Sequence, residues 1–298
     1  MVNTVSFLSL KGRKVSERSL EFNVLSEALE YIRRSLGKAY IVGYTTRQEA
    51  LHGLDASIDA PGVIIAAYQF KAPSSGRGDV YRFRIGDRCW ICSNPRLGSR
   101  KHSRREIVEL LQKLGLPNTC INQHTILYAV ATVLETTMNT PVYYAFPLVR
   151  DYAELEQRIL GIINYTILIR VRDMPIKTIL DCEPHTIEVD LPAGNLNNIS
   201  ITIYSSKPEK LPRSKYTILS KALTELVSRE NLPKAKQVVH LDPEKLQQIL
   251  EKELKKKAKQ EELGPELIEK TTLLARAIVM TSFSYRGTAL VAKHERKH

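Results

Sequence analysis

Between Thr46 and Pro73 the chain reads TRQEALHGLDASIDAPGVIIAAYQFKAP, which sets a carboxylate, a turn and a Gln-x-Lys pair around an apolar strand. Asp-Ala-Pro-Gly at 59–62 is a turn signal between two strand-like runs, so the segment reads as a hairpin with Asp55 entering its first strand. On the second strand, Val63 to Ala72, alternation puts Gln69 and Lys71 on one side with Val63, Ile65 and Ala67. A buried ammonium without a partner is strongly disfavoured, so two polar groups at the end of an apolar strand point to a binding role. Asp55 and the amide oxygen of Gln69 are hard oxygen donors suited to Mg2+ or Mn2+, and Lys71 is placed to meet a phosphate. Glu49, six residues ahead of Asp55, completes the candidate set, and Gly53 lets the chain turn into the strand. His52 lies between them and is available as a general base, although a single His beside a turn is more often structural.

Asp55, the hairpin and Gln69-Phe70-Lys71 resemble the core of the PD-(D/E)XK nuclease superfamily, which includes Mrr-type restriction endonucleases and archaeal Holliday-junction resolvases. The resemblance implies a restriction-endonuclease-like α/β core, with a mixed central sheet flanked by helices, and a divalent-metal-dependent nuclease acting on DNA. Carried over by position, the catalytic set is Glu49, Asp55, Gln69 and Lys71, with Glu49, Asp55 and Gln69 as metal ligands for Mg2+ or Mn2+. Gln69 stands where most members carry a carboxylate, so the resemblance implies weaker metal binding here. Some members use a Glu from the first helix, for which Glu21 and Glu27 are available behind Glu49. A later helix bearing Gln123, followed by V-Y-Y-A-F-P, adds to the likeness. Tyr128 on that helix parallels the Gln-and-Tyr motif of the RecB-like branch, at a spacing of five rather than four. Nucleases that cut two strands often pair two active sites, so a homodimer is compatible with the resemblance.

The chain has 298 residues, enough for one sizeable core and a second small domain, and carries 44 Lys and Arg against 32 Asp and Glu, a net charge of +12. That balance favours a polyanionic partner, nucleic acid ahead of an anionic membrane. No apolar run approaches the roughly 20 residues of a membrane span, and the start of the chain lacks a signal-peptide layout, so no membrane partner and a cytoplasmic location are expected. Four cysteines argue against a disulfide scaffold. Cys89 and Cys92 form a C-x-x-C, with His102, Cys120 and His124 following, but the later chain lacks matching spacing. Ordinary buried or loop cysteines are therefore preferred to zinc at Cys89/Cys92.

The hairpin must be held by the elements around it. Ser16 to Leu36 has Leu20, Val24, Leu25, Ala28, Leu29, Ile32 and Leu36 at helical spacing, and Gly37 ends it. Val80 to Ile85 alternates as a strand. The loop from Asn94 concentrates Arg96, Arg100, Lys101, Arg104 and Arg105, a set matched to backbone phosphates, and leads into a helix through Leu114. Asn122 to Leu134 reads as a helix and Pro141 to Pro147 as a buried strand. Beyond these come strands at 162–171, 186–191 and 201–204, then helices at 214–228, from Asp242 to about Gly264, and from Glu266 to Met280. The division is a nuclease-like core over 12–149 and a mixed, then mainly helical, basic region over 150–298 that is compatible with continuity with the core. No Walker A loop, G-x-S-x-G, G-x-G-x-x-G or H-E-x-x-H competes for the chemistry. The alternatives are an inactive nucleic-acid-binding protein with the nuclease fold, and a basic assembly protein.

Overall fold

The computed structural model describes residues 13–44, 54–60, 63–87, 104–113, 115–205, 207–228 and 243–282. Glu49, His52, Cys89, Cys92, Arg96, Arg100, Lys101 and His102 lie outside them, as does the side chain of Arg104. The basic-loop and C-x-x-C readings therefore fall outside the described residues.

The fold is α/β, with a mixed six-stranded sheet in the order β1-β2-β3-β5-β6-β10. Its strands are β1 (Tyr40–Gly43), β2 (Ala56–Ala60), β3 (Val63–Phe70), β5 (Val142–Pro147), β6 (Thr166–Arg170) and β10 (Tyr216–Ile218). Only β3 and β5 run parallel; the other pairs are antiparallel. A second, antiparallel sheet of four strands joins β4 (Val80–Ile85), β7 (His185–Asp190), β8 (Ser200–Tyr204) and β9 (Pro208–Leu211). Strands from both sides of Val149 thus share the larger sheet.

Two layers of helix cover that sheet. On one side lies α1 (Glu17–Leu36), whose Leu20, Val24, Leu25, Ala28 and Ile32 are buried against Ile58, Tyr68 and Phe70. Each large apolar side chain so buried contributes roughly 1.5–3 kcal/mol. Ser16 caps the helix, its Oγ accepting the Ser19 N–H at 3.0 Å, and Gly37 ends it at φ +75°, a conformation glycine adopts without a Cβ penalty. The helix α2 (Arg104–Lys113) precedes α3 (Gln123–Met138), which covers the opposite face. Every residue of α3 from Gln123 to Leu134 is buried, because the sheet takes one side while α7 (Pro243–Gln260) and α8 (Pro265–Ser282) pack on the other. Between them in sequence come three short helices: α4 (Tyr152–Arg158), α5 (Lys177–Leu180) and α6 (Leu219–Ser228). Among the described residues no helix is long and apolar enough to cross a membrane.

Four sequence expectations change. A bulge sets Ile58 opposite Ala66 and Asp59 opposite Ile64, leaving Ile65 extra, so parity shifts along β3. Ile65 joins the α1 side, while Ala67 belongs to the α3 side. The expected helix at 214–228 starts only at Leu219, because Tyr216-Thr-Ile, aromatic and β-branched, pairs with β6 instead. The expected strand at 162–171 opens as a 3-10 turn over Ile162–Tyr165. Finally, Cys120 and Cys182, 62 residues apart, form a disulfide rather than standing as separate buried thiols. Closing a loop of that size is worth about 4 kcal/mol in the chain-entropy account.

Candidate active site

The hairpin carries Asp55 and Gln69 onto the α3 side of the sheet, opposite each other. The Asp55 N–H donates to Tyr68 O at 3.0 Å, and its carboxylate Oδ2 accepts from Gln69 Nε2 at 2.8 Å and from the Phe70 N–H at 2.6 Å. Gln69 is fully buried and Asp55 4% exposed, so these bonds offset the cost of desolvating both groups. Oδ2 thus accepts two N–H donors.

Gln123 is the first residue of α3. Its Nε2 donates to Gln69 Oε1 at 3.3 Å, and its Oε1 accepts from Lys71 Nζ at 3.3 Å. Lys71, one residue past β3, is only 11% exposed on its side chain and also lies 3.8 Å from Glu17 Oε1. Glu17 is the first residue of α1, 42% exposed on its side chain, and its Oε2 accepts the Ala72 N–H at 3.3 Å. Two helix N-termini therefore converge on one lysine at the carboxyl end of the parallel pair β3 and β5. Helix N-termini favour negative charge, and the carboxyl edge of parallel strands is where open α/β sheets bind ligands. The continuous chain of contacts is Asp55, Gln69, Gln123, Lys71 and Glu17.

Three of the four expected catalytic residues, Asp55, Gln69 and Lys71, share this cluster, and Gln123 joins it; Glu49 lies outside the described residues. Tyr128 does not join. It turns to the far side of α3, where the Lys257 ammonium stands 5.3 Å from its ring centroid. Burial raises its phenol. Glu21 pairs with Arg18 at 2.8 Å, and Glu27 accepts the Ile163 N–H at 3.3 Å. Glu17 is thus the first-helix carboxylate that reaches Lys71. Its visible signal in the sequence is its place directly after the cap Ser16. Arg105 is exposed and bonds Glu109 at 2.8 Å along α2.

Sequence reasoning also missed the row that continues the site along β2. Asp55, Ser57 and Asp59 alternate on the face opposite Ala56 and Ile58, and all three are buried. Ser57 Oγ donates to Asp59 Oδ1 at 2.7 Å and accepts from the Tyr44 hydroxyl at 3.2 Å. Burial pushes the Tyr44 phenol up. Tyr144, opposite Gln69 on β5, has a phenol held well above the usual range by burial, with Asp87 and Asp55 adding to it. The Tyr144 hydroxyl meets His124 Nδ1 at 2.9 Å. Thr178 Oγ1 donates its one proton to Pro175 O, so the contact of His124 Nε2 with Thr178 Oγ1 at 2.9 Å assigns the proton to Nε2. Tyr144 then donates to Nδ1. Burial, with His185 and Lys257 nearby, pushes His124 down to about 3, which keeps it neutral. Its nitrogens being bonded and Cys120 being in a disulfide, neither serves the zinc set considered from the sequence.

The described cluster offers only oxygen donors to a metal: the carboxylates of Asp55 and Glu17 and the amide oxygens of Gln69 and Gln123. That chemistry suits Mg2+ or Mn2+. Among the described residues no group of three or more His, Cys, Asp or Glu stands at metal-binding distance. Comparison with protein-family models, with curated proteins and with solved structures finds no match to this chain.

Proposed function

We propose that this protein has a restriction-endonuclease-like core and is a divalent-metal-dependent nuclease that hydrolyses phosphodiester bonds in DNA. The observation that carries the reading is the contact chain from Asp55 through Gln69 and Gln123 to Lys71, completed by Glu17. Gln69 orients Asp55, and Gln123 holds the Lys71 ammonium beside Glu17. Lys71 and two helix N-termini then supply positive potential where charge gathers on a phosphate in the transition state. Asp55 and Glu17, with the amide oxygens and Glu49, are the residues that would hold Mg2+ or Mn2+. When bound, the metal supplies charge neutralisation and an activated water. The net charge of +12 favours the polyanionic substrate.

The test is Mn2+-dependent cleavage of supercoiled and linear DNA by the intact protein. Cleavage abolished by EDTA and by Lys71→Ala supports the reading, whereas salt-dependent DNA binding without cleavage under any divalent ion sinks it. That second outcome would select a non-catalytic nucleic-acid-binding protein. One observation favours it: the Gln69 amide spends its N–H on Asp55 Oδ2, in the position where a second carboxylate would add charge for a metal. Absence of both binding and cleavage would leave the basic assembly protein.

A further inference from the structure

We propose that the Cys120–Cys182 disulfide is a positioning clamp that holds Gln123, and through it Lys71, in the candidate site. This inference rests on the reading of Gln123 as part of that site. Cys120 closes the 3-10 turn Asn118–Cys120, and only Ile121 and the cap Asn122 separate it from Gln123. Cys182 follows α5 at φ +65°, in a conformation that a non-glycine residue adopts at a cost. The same two segments meet again through His124 Nε2 and Thr178 Oγ1 at 2.9 Å, and His185 Nε2 donates to Thr178 O at 2.8 Å. The first turn of α3 is thus tied to residues 178–182 by one covalent bond and one hydrogen bond.

Gln123 needs such a tie. Its contacts with Gln69 and Lys71 are both 3.3 Å, at the long end of the hydrogen-bond range, so a shift of a few tenths of an ångström removes both. Of the chain that leads into α3, residues 117–119 are exposed, and the packing that anchors it lies in Cys120, Ile121 and Asn122, beside the disulfide itself. The capping box of Asn122 and Thr125 fixes the turn internally, each bond at 3.0 Å, but does not fix its position against the sheet. Both cysteines are buried, so the clamp is closed to casual exchange. Opening it takes two electrons and two protons. Dithiothreitol supplies them by thiol–disulfide exchange, leaving two cysteine thiols and its own cyclic disulfide.

The experiment compares oxidised wild type, dithiothreitol-reduced wild type and Cys120→Ser/Cys182→Ser, with the linkage checked by non-reducing peptide mass mapping. Far-UV circular dichroism should be unchanged, and hydrogen exchange should accelerate in the peptide 121–127 while peptides of β3 keep their protection. Mn2+-dependent cleavage should fall about 10- to 100-fold in kcat with KM for DNA unchanged. The loss should not add to that of Gln123→Ala, and reoxidation should restore the reduced wild type but not the double variant. Unchanged exchange at 121–127, global unfolding on reduction, or a loss additive with Gln123→Ala would each overturn the clamp. If wild type cleaves no nucleic acid, the nuclease reading fails by itself, and the exchange measurement still decides the clamp.

Discussion

The two sides of α3 carry polar networks of opposite construction. Toward the sheet, the amides of Gln69 and Gln123 link the Asp55 carboxylate to the Lys71 ammonium in a line of three hydrogen bonds, and the ion-pair partner of that lysine among the described residues, half-exposed Glu17, is 3.8 Å away. Away from the sheet, Tyr128 lines a cleft of about 670 Å3 with Glu135, Arg172, Glu253, Lys257 and Glu261. There Arg172 joins Glu253 and lies 3.6 Å from Glu135, which Arg170 also binds at 2.7 Å. Lys257 donates to the carbonyls of Arg172 and Met174. Glu261 accepts the Ile176 N–H at 2.9 Å. Arg172, Glu253, Lys257 and Glu261 thus fasten α7 and the turn after it to the segment after β6, whereas the proposed site holds its lysine with contacts of 3.3 and 3.8 Å. The larger concentration of charge marks a structural joint, and the sparser one belongs to the proposed site.

The sharpest way to break this contrast is to remove each lysine. Lys71→Ala should lower kcat for metal-dependent cleavage by about 10²- to 10³-fold with DNA binding retained, because its charge acts mainly in the transition state. Lys257→Met should leave cleavage intact; equal losses from the two would erase the distinction.

The His124 bridge between α3, β5 and α5 should show in acid. Its pKa is pushed down to about 3 from the ordinary 6.5 by burial, so the unfolded chain takes up the proton first. Its contribution is complete above pH 6.5 and is lost as pH falls toward 3, on the order of 5 kcal/mol over the window. Urea unfolding at pH 7.5, 5.5 and 4 should give a shallower acid slope for His124→Asn than for wild type.

Gln69→Glu replaces a donor by an acceptor against Asp55. Without metal it should destabilise the fold by about 1–3 kcal/mol, since the Asp55 carboxylate loses its 2.8 Å donor and meets a like charge. Mg2+ should recover more stability in this variant than in wild type, read as the rise in Tm on adding the ion. Equal recovery would remove position 69 from the metal set.

The last effect lies in the cleft. Burial pushes Lys257 down to about 8 from 10.5, so between these values the unfolded chain binds more protons and stability rises with pH. Its contribution is full above 10.5 and lost as pH falls through 8, on the order of 3 kcal/mol in all. Lys257→Met should flatten that rise in chemical denaturation curves across pH 7.5 to 10.

How much of this was legible in the sequence depends on the distance over which each contact acts. The hairpin, α1, β4 and β5 follow from turn residues and periodicity, and the facing of Asp55 and Gln69 follows from local alternation near the end of β3. The bulge at Ile65 was not legible, because nothing in Val63-Ile-Ile-Ala-Ala says which apolar residue is left over when β2 pairs. The strand β9 begins at Pro208 and lies at the edge of its sheet, a pattern that reads as loop. Glu17 and the Cys120–Cys182 pair depend on which elements meet in space, and no local spacing carries that information. Tyr128 illustrates the reverse error: a plausible spacing on the right helix, five residues on, rotates the side chain to the other face.

The parallel pairing of β3 with β5 also fixes the order in which the site can come together. Asp55 and Gln69 are 14 residues apart and meet within one hairpin, but Gln69 and Gln123 are separated by 54 residues, and Lys71 and Gln123 by 52. Distant contacts carry a larger loop-closure cost and form slowly. In a chain emerging from the ribosome the carboxylate acquires its amide partner early, while the lysine waits for α3 and β5 to dock.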